Sequence, residues 1–116
     1  MVKGYPEFYE KVSSLMNQYG AESPGTMAGF MQLHMAGSKD GALSGKVKEL
    51  IALGIAICVR CDGCIAFHVH DAIKAGAVRS EVVETIGVAI LMGGGPSVVY
   101  GSQALEALKE FEAEKA

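Results

Sequence analysis

The three cysteines of this chain, Cys58, Cys61 and Cys64, fall within one stretch of seven residues, and His68 follows the last of them by four. Two cysteines separated by two residues close a disulfide readily, because one turn of chain brings their side chains within reach. A thiol at a helix N-terminus meets unpaired N–H groups and the positive end of the helix dipole, which favour thiolate over thiol. The helix carrying His68 is expected to start inside the segment Cys61-Asp62-Gly63-Cys64, so that condition falls on this pair. One helical turn separates Cys64 from His68, close enough for the imidazole to take the thiol proton. On spacing, Cys64 is the expected attacking thiolate and Cys61 the partner that closes the disulfide.

Other readings use the same atoms. Cys58, Cys61, Cys64 and His68 together would offer three thiolates and an imidazole to a tetrahedral zinc ion, and the same spacing begins some iron–sulfur motifs. Against both, Cys58 lies in the apolar run Leu50–Val59, expected to be continuous helix, and the chain has no fourth cysteine. The plainest alternative makes Cys61 and Cys64 small buried residues and His68 a core histidine, but Asp62 and Gly63 suit a core poorly. Neither a metal nor an organic cofactor is expected. His70 should face away from His68, toward the surface or an interface. His34, among Met31 and Met35, is expected in the core or an interface, with a pocket wall as the other option. Gly93-Gly94-Gly95 lacks the lysine and the preceding strand of a phosphate loop and reads as a close helix crossing. Tyr100 is a weaker candidate for the pocket border.

The elements that must hold these residues are helical. Pro6 suits a first helical position, and Phe8, Val12, Leu15 and Tyr19 recur at spacings of three or four, which predicts a helix over Tyr5–Tyr19 closed by Gly20. Ser23-Pro24 opens a second helix to about Met35, and Gly37–Gly41 reads as a loop. Ser44 should cap a third helix, apolar from Leu50 to Val59, with a break over Arg60–Gly63. A fourth helix then runs to Lys74 or Ala75 with Gly76 as its cap. A fifth starts at Ser80-Glu81 and continues to about Met92, and a sixth covers Ser97–Glu114. The expectation is an all-α fold of about six helices in a single domain, residues 1–116.

Composition sets limits on function. Half of the 116 residues are hydrophobic and the formal net charge is −3, which excludes a disordered chain and disfavours phosphate neutralisation in a nucleic-acid groove. No apolar run approaches the roughly 20 residues of a membrane span, and the charged first dozen residues do not fit a signal peptide. A cytoplasmic location is the default, and clustered cysteines fit it better than a secreted disulfide scaffold. The third and fifth helices are apolar nearly all round, which points to a homo-oligomer covering one of their faces.

Glu49 stands twelve positions before Cys61. The set Glu49-x11-Cys61-x2-Cys64-x3-His68, with Lys48-Glu49-Leu50-Ile51-Ala52-Leu53 before it and Met92-Gly93-Gly94-Gly95-Pro96 after the fifth helix, closely resembles the carboxymuconolactone decarboxylase family. Within that family it is most similar to the alkyl hydroperoxidase D-like branch, over roughly Phe30 to Leu108. The resemblance implies the multihelical fold of that branch, assembly as trimers or hexamers, thiol-dependent peroxide reduction, and a proton relay from the cysteines through His68 to Glu49. Asp62-Gly63 departs from alkyl hydroperoxidase D itself, which has a histidine between its cysteines. The cysteine pair in turn argues against lactone decarboxylation. On a continuous helix Glu49 would sit about 18 Å from Cys61. It joins the relay only if the chain folds back near Arg60–Gly63; otherwise it is a solvated partner of Lys46 or Lys48.

The expected function is a thiol peroxidase or disulfide reductase acting on a peroxide or small disulfide and restored by an external dithiol. Glu49, Cys61, Cys64 and His68 are its candidate catalytic residues. Three alternatives stand beside it: a decarboxylase-like or isomerase-like enzyme on a small lactone, a metal-binding structural protein, and a non-catalytic oligomeric module.

Overall fold

The computed structural model describes residues 4–115. They form six helices: α1 (Tyr5–Glu22), α2 (Pro24–Ser38), α3 (Gly45–Cys58), α4 (Asp62–Lys74), α5 (Arg79–Gly93) and α6 (Gly95–Lys115). No strand occurs among the described residues.

Each inner helix buries one stripe at helical spacing. Leu53, Ala56 and Ile57 of α3 meet Ile65, Ala66 and Val69 of α4, Val82, Ile86 and Ala89 of α5, and Ala104, Leu108 and Phe111 of α6. These four helices pack on one another, and α1 adds Tyr5 to the same core. Small residues let them approach. A Cβ on Gly101 would come within 2.7 Å of Ile86, and one on Gly93 would run into Ser97 and reach 3.3 Å from the Cys58 sulfur. The glycine-rich segment is thus the close crossing expected of it, with Gly94 turning the chain at φ 68°.

Helix ends differ from expectation in places. Helix α1 runs through Gly20 to Glu22, since Ser23-Pro24 and not Gly20 ends it; the Ser23 N–H closes the last turn on the Tyr19 carbonyl at 2.8 Å. Helix α2 takes in Gly37 and Ser38, with the Ser38 hydroxyl bonded to the His34 carbonyl at 2.6 Å. Ser44 caps α3 as expected, its hydroxyl accepting the Val47 N–H. Helix α5 starts one residue before Ser80, and the Glu81 carboxylate reaches back to the Val78 N–H at 2.9 Å.

Helix α2 stands apart. It has no buried residue and packs mainly on α1, with a lighter contact to α3. No described helix is long and apolar enough to cross a membrane.

Candidate active site

The site begins at the reversal between α3 and α4. The Arg60 N–H bonds to the Ile57 carbonyl at 3.2 Å, and the Cys61 N–H reaches back to Ala56 at 3.1 Å. This pairing is a Schellman ending, and its left-handed position, most often glycine, is held by Arg60 at φ 59°. Cys61 follows at once as the N-cap of α4, its sulfur accepting the Cys64 N–H at 3.2 Å. One residue therefore ends α3 and starts α4, which fixes the Cys61 sulfur against the first turn of the helix bearing Cys64 and His68.

The same reversal lays α4 back along α3 and carries Glu49 to His68. Glu49 Oε2 lies 2.8 Å from His68 Nδ1, with no intervening atom. The Glu49 side chain is nearly buried and that of His68 partly so. An ionised carboxylate can only accept a hydrogen bond, so Nδ1 donates and Nε2 is left with the lone pair that can take a proton. Lys46 and Lys48 are occupied elsewhere, on Glu81 at 2.9 Å and on the Lys39 carbonyl at 2.7 Å.

Cys61, Cys64 and His68 line one cavity of about 350 Å³ between α1, α2 and α4. Its walls are mostly apolar or aromatic, with Val12, Met16, Phe30, Met31 and Phe67 prominent, and His34 and Asp71 as the other polar side chains. Burial and the adjoining Cys61 sulfur push the Cys64 thiol up to about 11. Two residues belong here that spacing placed elsewhere or passed over. His34 lines this cavity and a second one on the other side of His68, so the pocket-wall option holds for it. Asp71, one helical turn after His68, also faces the cysteine cavity. Its i, i+3 spacing from His68 was the available signal. Tyr100 packs against the core and is absent from the cavity lining.

His70 does face away from the sulfurs but is no free surface residue. Its ring stacks on Tyr9 with centroids 4.2 Å apart, and its Nδ1 bonds Asp71 Oδ1 at 2.9 Å. Asp62, between the cysteines, has a buried carboxylate oxygen without a hydrogen-bond partner. With burial as the larger cause, Asp62 helps push the Tyr5 hydroxyl up to about 12.

Cys58 does not join the pair. It is exposed and opens onto a separate groove of about 470 Å³ between α3 and α5, where its thiol donates to the Ala89 carbonyl at 3.5 Å. An exposed Cys58 is neither a buried neighbour of the pair nor part of a common ligand set with Cys61, Cys64 and His68. The metal-type donors that do converge, among the described residues, are Glu49, His68 and Asp71, within 4.8 Å of one another. Hydrogen bonds within the protein already engage them, Glu49 with His68 and Asp71 with His70.

Comparison with known proteins agrees with the fold. The pattern of the carboxymuconolactone decarboxylase family matches residues 24–108. An uncharacterized protein of Cupriavidus necator is 37% identical over 98 residues, covering 82% of this chain and 87% of that protein. A crystal structure of a carboxymuconolactone decarboxylase family protein from Legionella pneumophila superposes with a TM-score of 0.89 at 43% identity, covering 92% of this chain and 96% of the other. A second family member, from Thermotoga maritima, for which a part in the antioxidative response has been suggested, gives 0.83 at 25% identity over 92% of both chains. With its all-α fold, its Cys61–Cys64 pair and the His68–Glu49 contact beside them, the chain belongs to the carboxymuconolactone decarboxylase family, in the alkyl hydroperoxidase D-like group.

Proposed function

We propose that this protein is a thiol-dependent peroxidase whose reducing centre is the pair Cys61 and Cys64. The observation that carries this reading is the shared cavity: both sulfurs and His68 line it, and Glu49 holds the far side of the imidazole.

In the proposed cycle a cysteine thiolate attacks one oxygen of the peroxide O–O bond. That bond breaks, the sulfur becomes a sulfenic acid, and the other oxygen leaves as water or alcohol with the proton that His68 has carried. The second thiol displaces the sulfenic hydroxyl as water, closing the disulfide. An external dithiol then reduces the disulfide by exchange. The geometry favours the reverse of the order expected from spacing. Cys61 stands at the α4 N-terminus and accepts the Cys64 N–H, whereas Cys64 is held in its thiol form, so Cys61 attacks and Cys64 resolves. The apolar walls suit an organic hydroperoxide.

The test is a thiol count before and after one equivalent of hydroperoxide, on the parent protein and on Cys61→Ser and Cys64→Ser. The parent should lose two thiols and keep Cys58. Cys64→Ser should yield a trappable sulfenic acid, and Cys61→Ser should not. Retention of all three thiols by the parent would refute the reading, and a sulfenic acid in Cys61→Ser alone would reverse the assigned order.

A further inference from the structure

We infer that Asp71 is the residue through which protons enter the cysteine site from solvent, by way of His68, when the disulfide is reduced. This rests on the redox reading of the Cys61–Cys64 pair.

Reduction of that disulfide consumes two electrons and two protons. An external dithiol supplies the electrons and sheds its own protons to water as it reacts through its thiolates. The protons that end on Cys61 and Cys64 must come in separately. The demand is greatest at Cys64. If the donor attacks Cys61, the Cys64 sulfur is the leaving group; if it attacks Cys64, that sulfur leaves when the donor's second thiolate resolves the mixed disulfide. Burial and the neighbouring sulfur disfavour a thiolate at Cys64, so a proton has to reach it as the S–S bond breaks.

Asp71 is placed to deliver that proton. It lines the cysteine cavity, and it also lines an outer cavity of about 370 Å³ with Ser38, Gly45, Glu49, Lys74 and Ala75. It alone is common to these two cavities. Its carboxylate lies within 4.8 Å of the donor atoms of His68 and Glu49, a span that one water would bridge. The titratable groups around it are His68 and Glu49 on the inner side, and His70 and Lys74 on its own helix. Tyr9 of α1 completes the set, its hydroxyl pushed up by burial first and then by the Asp71 charge. His70 bonds Asp71 Oδ1 while its ring is stacked on Tyr9, so the carboxylate is held in place.

The experiment forms the disulfide with a chemical oxidant such as diamide, which makes it independent of peroxidase activity. Its reduction by dithiothreitol is then followed in chelator-treated protein at low buffer concentration. The parent should react at a rate insensitive to added imidazole. Asp71→Asn should be slower by about tenfold, and rising imidazole should restore its rate, because a small acid can substitute for the missing proton carrier. Asp71→Glu should retain most of the parent rate. An Asp71→Asn rate equal to that of the parent at low buffer would overturn the inference, and so would a deficit that imidazole does not restore. A peroxide-unreactive protein whose chemically formed disulfide still shows buffer rescue would sink the peroxidase reading alone.

Discussion

At the residue scale the account rests on the 2.8 Å contact between His68 and Glu49 beside two sulfurs. Replacing His68 by Gln keeps polar bulk in the cavity but removes the group to which the proposed cycle assigns the proton. The rate of thiol oxidation by a hydroperoxide should fall by about 10²-fold, the usual yield of one general acid–base residue. Glu49→Gln leaves the imidazole in place without its carboxylate partner and should cost less, and stopped-flow measurement of thiol loss separates the two. Cys64 gives a prediction in pH. Its folded value lies at about 11, above the ordinary 9.0, so the folded state binds its proton more tightly than the unfolded chain does. That contribution is intact below about pH 9 and is lost as pH rises through about 11. Urea denaturation of the reduced protein should therefore show stability declining over this window, and Cys64→Ser should flatten the decline. An equal slope in both proteins would refute it.

At the scale of elements, the reversal between α3 and α4 does the positioning, and it can be compared with the end of α4 itself. Both are Schellman endings. Gly76, at φ 98°, holds the left-handed position in the second, where the Gly76 N–H bonds to Ile73 and the Ala77 N–H to Ala72. Arg60 holds it in the first, against a preference of about 1–2 kcal/mol for other backbone conformations. Arg60→Gly should raise stability by up to about 1 kcal/mol, less what glycine returns to the unfolded chain. Gly76→Ala should lower it by a similar amount, since nothing lies near its Cβ position and only backbone strain acts. Thermal denaturation reads both.

Much of this level was legible in the sequence, because proline, serine caps and apolar spacing are local signals. Six helices, the Ser44 cap and the break after Val59 follow from them directly. Gly20 misled because a glycine inside a helix looks like a stop when the neighbouring Ser23-Pro24 is the stronger one. The Glu49–His68 contact was accessible only through the family resemblance, since nothing within twelve residues of spacing states that two helices fold together. Asp71 lay in plain view one turn beyond His68. A charged residue at that spacing is ordinarily a solvated face, and only the cavities show that Asp71 looks inward as well as outward.

At the scale of the molecule, the apolar surface left open asks for a cover. Leu91 and Met92 of α5 are 79% and 77% exposed, and Leu33 and Met35 of α2 are each 67% exposed. The groove between α3 and α5 is lined almost wholly by apolar side chains. Exposed apolar patches of this extent mark association surfaces. The expected outcome of light scattering on the purified protein at micromolar concentration is a mass that is a multiple of the 12.1 kDa chain, in threes if the family resemblance extends to assembly. A monomer would contradict it. The cysteine cavity is walled in part by Phe30, Met31 and His34 of α2, a helix with no buried residue.

The most direct test of the central claim is the mass of the peptide that carries Cys61 and Cys64 after one equivalent of a hydroperoxide, with alkylation of every thiol that remains. The account predicts that this peptide loses the mass of two hydrogen atoms and takes up no alkylating agent, while Cys58 is alkylated in full. A peptide alkylated at both Cys61 and Cys64, or a disulfide that involves Cys58, would contradict it.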